Sequence, residues 1–291
     1  MSQKSSFRLA PGTLLALVAF MLFSISDACV RAMNGAVPPL VLCFIGCALG
    51  AIAGPFLFRT SQIRDFFVAK RPWRWWARGG LAVVGTLSSL VAFSRLPLST
   101  ATALIFLAPV LTAVTSNLIL KERISVPQWA GFGLGLVGVL LVLRPELGAL
   151  ELGHLCGFIC ALCGVATSLL IRSAGDGEKP AAFYGGGIVA PLVISAPGFF
   201  MLDRLPEMSI WLPLAGYAGC GALASLLIIY ALRRAPASHV ALAQYSQLLW
   251  SALLGVVFFN VHIGALSAAG LVIIAIAGVL FTYKQEAEGA G

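Results

Sequence analysis

Ten apolar runs, each close to 20 residues long and separated by short polar or proline-bearing gaps, restrict this chain more than any other feature. A run of that length crosses a hydrocarbon core of roughly 30 Å as α-helix. Inside lipid the backbone must satisfy its own hydrogen bonds, which leaves helices or a closed barrel. Barrel strands would read as shorter, alternating segments, and the sequence shows none. The runs fall at approximately 11–32, 37–58, 76–96, 98–119, 127–144, 151–172, 182–202, 209–232, 236–259 and 265–283, with breakers between them at Pro38-Pro39, Pro72, Pro97, Pro127, Pro145, Pro180, Pro206, Pro236 and Gly264. Only 10% of the residues are charged and 59% are hydrophobic, whereas soluble domains are about a quarter charged. The expected fold is therefore an all-α integral membrane protein of ten transmembrane helices.

The net charge of +8 invites a nucleic-acid reading, but the charges lie almost entirely in or at the edges of the short gaps between apolar runs, where topology determinants belong. With the N-terminus placed inside, 15 of the 19 Lys and Arg residues fall on the cytoplasmic side, Arg78 among them, and Arg31, Arg95, Arg144 and Arg204 fall outside. Both termini are then cytoplasmic, nucleic acid is no partner, and Trp73, Trp75, Trp76 and Trp129 lie near the inner interface. Lys4 and Arg8 precede the first apolar run as they would in a signal peptide; the run is read as an uncleaved first helix. Cys43 and Cys47 share one apolar run, and Cys156, Cys160 and Cys163 share another. No nearby His or Asp completes a metal shell, so these thiols are read as packing residues and no metal or cofactor is expected.

The chain also repeats itself. Arg95-Leu-Pro-Leu-Ser99 matches Arg234-Ala-Pro-Ala-Ser238 at an offset of 139, which also sets Leu120 opposite Phe259. Near the start of each half the offset is 141, with Arg31 opposite Arg172 and Asp27 opposite Ser168. The halves, 1–145 and 146–291, carry five apolar runs each. An odd number of crossings inverts the second half, the architecture of secondary transporters that bind solute between the halves.

Leu96-Pro-Leu-Ser-Thr-Ala-Thr-Ala through Ala108-Pro109-Val110, Leu120-Lys-Glu-Arg-Ile-Ser125, Gln128-x-x-Gly131 and Gly138-Val139 together resemble the EamA domain of the drug/metabolite transporter superfamily. The whole chain looks most like the amino-acid and metabolite exporters of YddG type. The second half departs from the pattern, with Leu248 where the first has Pro109 and Val261-His262-Ile263 where the first has Glu-Arg-Ile. The resemblance implies a central cavity lined by helices 1, 3, 4, 6, 8 and 9, closed at the sides by helices 2 and 7, with helices 5 and 10 peripheral.

The residues themselves supply candidates. Gln244, Gln247 and Ser251 share a face of the ninth run, flanked by Tyr245 and Trp250; amides in hydrocarbon must be partnered. In the fourth run Pro109 sits near mid-span, with Thr112 and Phe106 beside it, and a proline frees a backbone carbonyl. Ser24, Ser88, Ser89 and Ser168 reach similar depths. Substrate binding is assigned to Ser24, Ser88, Ser89, Phe106, Pro109, Thr112, Ser168, Gln244, Tyr245, Gln247 and Trp250, with the fourth and ninth runs facing each other across the pathway. Asp27, the one acid well inside a run, is expected to pair with Arg31 four residues on; the two are the gate or proton candidates. Glu122 is expected to tie helix ends together.

Without a Walker loop, a His-Glu-x-x-His or a Gly-x-Ser-x-Gly, the chain reads as no enzyme. Its expected function is secondary transport, in the export direction, of neutral or zwitterionic organic solutes, amino acids included. A channel-like facilitator or a multidrug exporter is the alternative. The expected site is a bacterial-type inner membrane, with the lipid bilayer as partner and the chain a monomer or homodimer.

Overall fold

The structure, a computed structural model, describes residues 11–34, 36–57, 63–67, 69–145, 150–201 and 207–288. Lys4, Arg8, Arg59, Arg204 and the breaker Pro206 lie outside them. The described residues form helices and no strand: α1 Pro11–Ala32, α2 Pro39–Leu57, α3 Pro72–Arg95, α4 Leu98–Ile105, α5 Ala108–Ile119, α6 Val126–Leu143, α7 Leu152–Ala174, α8 Pro180–Ser195, α9 Met208–Arg234, α10 Ala237–Ala243, α11 Ser246–Phe259 and α12 Ala265–Glu288. Eight apolar stretches are long enough to cross a membrane, counting α4–α5 and α10–α11 as one each, and two shorter apolar helices lie at Pro39–Gly54 and Ala265–Gly278.

Prolines start these helices as well as separate them. Pro11, Pro39, Pro72 and Pro180 each open one, because the first turn needs no N–H donor and proline's φ is already helical. For α3 this moves the start from the expected 76 to Pro72, which brings Arg74 inside the helix together with Arg78. The α6 N-terminus has a capping box in which the Ser125 N–H donates to Gln128 Oε1 at 2.8 Å. Asn260, at φ 50, ends α11 in the left-handed region that asparagine tolerates.

Two of the ten runs are broken mid-span, at equivalent places in the two halves. Between α4 and α5, Pro109 cannot donate to the Ile105 carbonyl, and the Leu107 N–H turns instead to Leu104 O at 3.2 Å. Between α10 and α11 no proline is present, yet the chain tightens the same way: Gln244, Tyr245, Gln247 and Leu248 all donate three residues back, at 3.0–3.2 Å. The Ala243 carbonyl freed there accepts from Ser246 Oγ at 2.7 Å. The expected continuous ninth helix is therefore two pieces, and Leu248 in place of proline does not straighten it.

The halves interlock. α1 packs on α9 and α11, α2 on α8 and α9, α3 on α7 and α8, α5 on α10, and α6 on α12. Glycines set the close approaches: a Cβ on Gly138 would lie 2.8 Å from Gly270 O, and one on Gly270 2.7 Å from Gly138 O. Gly46, Gly50 and Gly54 of α2 lie against Tyr217, Tyr184 and Phe66. These glycines serve internal packing.

Candidate functional site

Helices α2, α3, α7 and α8 part around a cavity of about 410 Å³, within the range of small-molecule sites. Its hydroxyls are Thr86 and Ser89 of α3 and Thr167 of α7. Cys43 and Cys47 of α2 and Cys160 and Cys163 of α7 also line it; they form no group able to hold a metal among the described residues. Among the described residues its single charged lining residue is Arg78. In sequence Arg78, just inside the third run, counts only among the cytoplasmic-side cations; the structure has it line the cavity. Arg78 lies six residues past Pro72, about 9 Å along the axis.

The guanidinium does not reach back toward the helix end. It lies on α8, where a Cβ added to Gly187 would fall 2.5 Å from an Arg78 Nη and 2.7 Å from Cζ. The Arg78 Nε is buried without a hydrogen-bond partner. Two described acids at that end of the bundle are engaged elsewhere. Asp65 pairs with Lys179 Nζ at 2.7 Å, and Glu178 accepts from the backbone N–H groups of Lys70 and Arg71 at 2.7 and 2.6 Å.

The internal repeat gives this cavity a counterpart. At offsets of 139 and 141, Arg78 corresponds to Tyr217, Gly187 to Gly46, and Thr167 to Ser26. Tyr217 lies on Gly46 as Arg78 lies on Gly187, its ring and hydroxyl 3.0 Å from where a Cβ would be. On that side, however, Ser26 Oγ donates to Tyr217 O at 2.9 Å and a Cβ on Gly216 would meet Cys29 Sγ at 2.7 Å. The α1–α9 seam is shut where the α7–α3 seam holds the cavity.

A second polar cluster joins α1 to α11. Ser24 Oγ lies 2.9 Å from Gln247 O and 3.0 Å from Phe20 O, and Ser251 Oγ donates to Ser24 Oγ at 3.3 Å. Gln247 Nε2 donates to Asp27 Oδ2 at 3.0 Å. Asp27 thus takes its partner from another helix, and the expected pair with Arg31 does not form: the Arg31 guanidinium stacks over the Phe259 ring, 4.9 Å from its centroid.

The other expected residues divide between core and cavity. Phe106 and Tyr245 are buried in one apolar cluster with Phe132 and Val139, and α5 touches α10 directly, so in this structure the fourth and ninth runs meet rather than flank a space. Pro109 and Thr112 are buried on α5, and Ser88 on α3. Ser89 lines the cavity. Ser168 donates to Gly164 O at 3.0 Å on its own helix. Gln244 and Trp250 are half-buried. Arg78, Thr86 and Thr167 were missed; aligning Arg78 with Tyr217 through the repeat would have placed it at helix depth.

Glu122 closes one end of the bundle. Its carboxylate accepts from Arg172 Nε at 3.1 Å, from the Ala237 and Ser238 N–H groups at 3.0 and 3.3 Å, and from Ser238 Oγ at 3.2 Å. It thereby caps α10, where helix N–H groups favour an anion, and joins three helices as expected.

Comparison with known proteins agrees with this architecture. The sequence pattern described as the EamA-like transporter family matches residues 10–144 and 151–283, once in each half. An uncharacterized transporter of Helicobacter pylori is 29% identical over 68% of this chain and 70% of its own length. A riboflavin transporter of Rhizobium johnstonii is 28% identical over 43% of this chain and 41% of its own. The pseudopaline exporter CntI of Pseudomonas aeruginosa is 23% identical, covering 96% and 98%. A solved chain titled only as the crystal structure of a protein superposes with a TM-score of 0.81 at 21% identity, covering 95% of this chain and 98% of that one. With the family pattern filling both halves, this chain belongs to the EamA-like transporter family and is a multi-pass membrane protein.

Proposed function

We infer that this chain carries small organic solutes across a bacterial inner membrane by alternating access, in ten crossings with both termini cytoplasmic. The observation that carries the reading is the inequality of two seams that the repeat makes equivalent. A carrier with inverted repeats exchanges the shapes of its halves as it turns over, and a shut α1–α9 seam beside an open α7–α3 seam is one member of such a pair. The transporter relatives are named for riboflavin and pseudopaline, so the family spans diverse small molecules. Within that range we favour export of amino acids, aromatic ones included. The cavity combines hydroxyls with apolar walls, and the Ser24–Gln247–Asp27 cluster offers a second polar contact.

The test is counterflow in proteoliposomes of the purified chain, preloaded with single amino acids, riboflavin or a lipophilic cation. Accelerated exchange of aromatic amino acids supports the finer reading. Exchange of the cation alone would transfer it to a multidrug exporter, and flux without counterflow would mark a channel-like facilitator. Running the same vesicles with and without a pH gradient, in wild type and Asp27→Asn, tests proton coupling. Loss of gradient-driven accumulation in the variant alone would make Asp27 the proton site.

A further inference from the structure

We propose that Arg78 is the anchor for a carboxylate of the transported solute, so that the cavity takes organic anions and zwitterions and rejects their neutral isosteres. This deepens the transport reading and rests on it. A charged side chain within a membrane-spanning bundle is costly and persists where it has a partner or a task. Arg78 has no partner among the described residues: its Nε is buried without a hydrogen bond, and the ion pairs Arg172–Glu122 and Lys179–Asp65 leave it out. Nor does it escape to the interface as long cationic side chains do. Gly187, on which the guanidinium lies, is seven residues into α8, about 10 Å from that helix's start.

Three features of the cavity fit a carboxylate. A guanidinium presents parallel N–H donors that match the two oxygens of a carboxylate. Gly187 has no side chain, and any Cβ there would collide with the fork, so α8 leaves the donors their room. Beyond Arg78 the α3 wall is apolar at Leu81 and Ala82 and becomes polar again at Thr86 and Ser89. Thr86 is eight residues on, about 12 Å along the helix. The wall is thus graded for a solute with an anionic head, an apolar body and a polar far end. The repeat isolates the feature: its counterpart Tyr217 occupies the same place on Gly46 without a charge.

The experiment uses the full chain in phosphatidylcholine nanodiscs, with Cys160 as the only cysteine. Cys160 lines the cavity, so its alkylation rate by a neutral maleimide reports occupancy without any transport. The probes are N-acetyl-tryptophan against N-acetyl-tryptophanamide, phenylacetate against phenylacetamide, inorganic phosphate, and dihexanoyl-phosphatidylglycerol. Each carboxylate should slow alkylation at least ten-fold more effectively than its amide. Arg78→Gln should erase that preference, and Arg78→Lys, a point charge without the fork, should retain part of it. An unchanged melting temperature and a monodisperse elution profile certify that each variant keeps its fold, and each variant's protection is referred to its own rate without probe. Equal protection by acid and amide in the wild type overturns the proposal, as does an acid preference that survives Arg78→Gln. Protection by phosphate or the lipid alone also overturns it, assigning Arg78 to an inorganic or headgroup anion. Counterflow of zwitterionic amino acids in proteoliposomes of the same purified protein separates these failures from failure of the transport reading.

Discussion

The two seams where the halves of this protein meet start from the same plan and end differently. Gly12 of α1 lies under Ala235, where a Cβ would sit 2.6 Å from the alanine side chain; its counterpart Gly153 of α7 lies under Leu96, 2.7 Å from the leucine Cγ. From these matching contacts the seams diverge. Along α1–α9 the backbone of Tyr217 accepts from Ser26, while along α7–α3 Thr167 and Arg78 line a cavity. The ends differ as well. Arg172 is held by Glu122, while its counterpart Arg31 has Phe259 instead, because the second half carries Val261 where the first carries Glu122. A duplicated fold supplies two interchangeable shapes, and a handful of unmatched side chains decides which is preferred.

The largest expected effect comes from cutting the tie at the closed end. Glu122→Gln removes the charge from a carboxylate that holds Arg172 and the start of α10, with both side chains only partly exposed. Breaking one side of a well-buried pair costs about 3–5 kcal/mol; with exposure discounted, roughly 2 kcal/mol is expected. It should be seen as a lower melting temperature in detergent. An unchanged melting temperature would show that the ends are alike after all.

Next comes the seam contrast itself. Gly12→Ala forces a Cβ against the Ala235 side chain and backbone, an overpacking worth about 1–3 kcal/mol. Gly164→Ala meets nothing within 4 Å on the cavity side and should be neutral or stabilise by up to about 1 kcal/mol through helix propensity. Equal destabilisation of the two variants in a melting assay would contradict the open seam.

How much of this was written in the sequence depends on how local the physics is. The apolar runs, the two repeated halves and the role of Glu122 follow from residues close in the chain or related by the repeat. The meeting of Ser24, Gln247 and Ser251 was foreseeable as a face of polar groups needing partners, though Asp27's partner was not, since its neighbour Arg31 in sequence lost to Gln247, 220 residues away. The break after Ala243 carried no proline to announce it. Arg78 lies two residues inside the third run and counts from sequence as an interface cation; what brings it to the cavity is its contact with Gly187 of α8, which no local pattern announces.

A smaller effect should follow from restoring the repeat. Val261→Glu gives the far end a carboxylate at the position equivalent to Glu122; an exposed pair with Arg31 is worth under about 1 kcal/mol. Stability should rise slightly while transport slows, because the end that lacks a tie would gain one. Faster transport would reverse the assignment of closed and open ends. The smallest change in stability is expected for Gln247→Ala, which removes an interhelical hydrogen bond worth about 0.6–1 kcal/mol. Transport should nonetheless fall several-fold. Normal transport per folded molecule with markedly earlier melting would reduce the Gln247 cluster to structural glue.

The central claim is that solute passes through the α7–α3 cavity, and chemical plugging tests it most directly. Protein with Cys160 as its only cysteine, reconstituted and treated with a bulky methanethiosulfonate, should lose at least nine-tenths of counterflow, and the reductant that removes the adduct should restore it. Complete modification of Cys160 by mass spectrometry with counterflow unchanged would contradict the account.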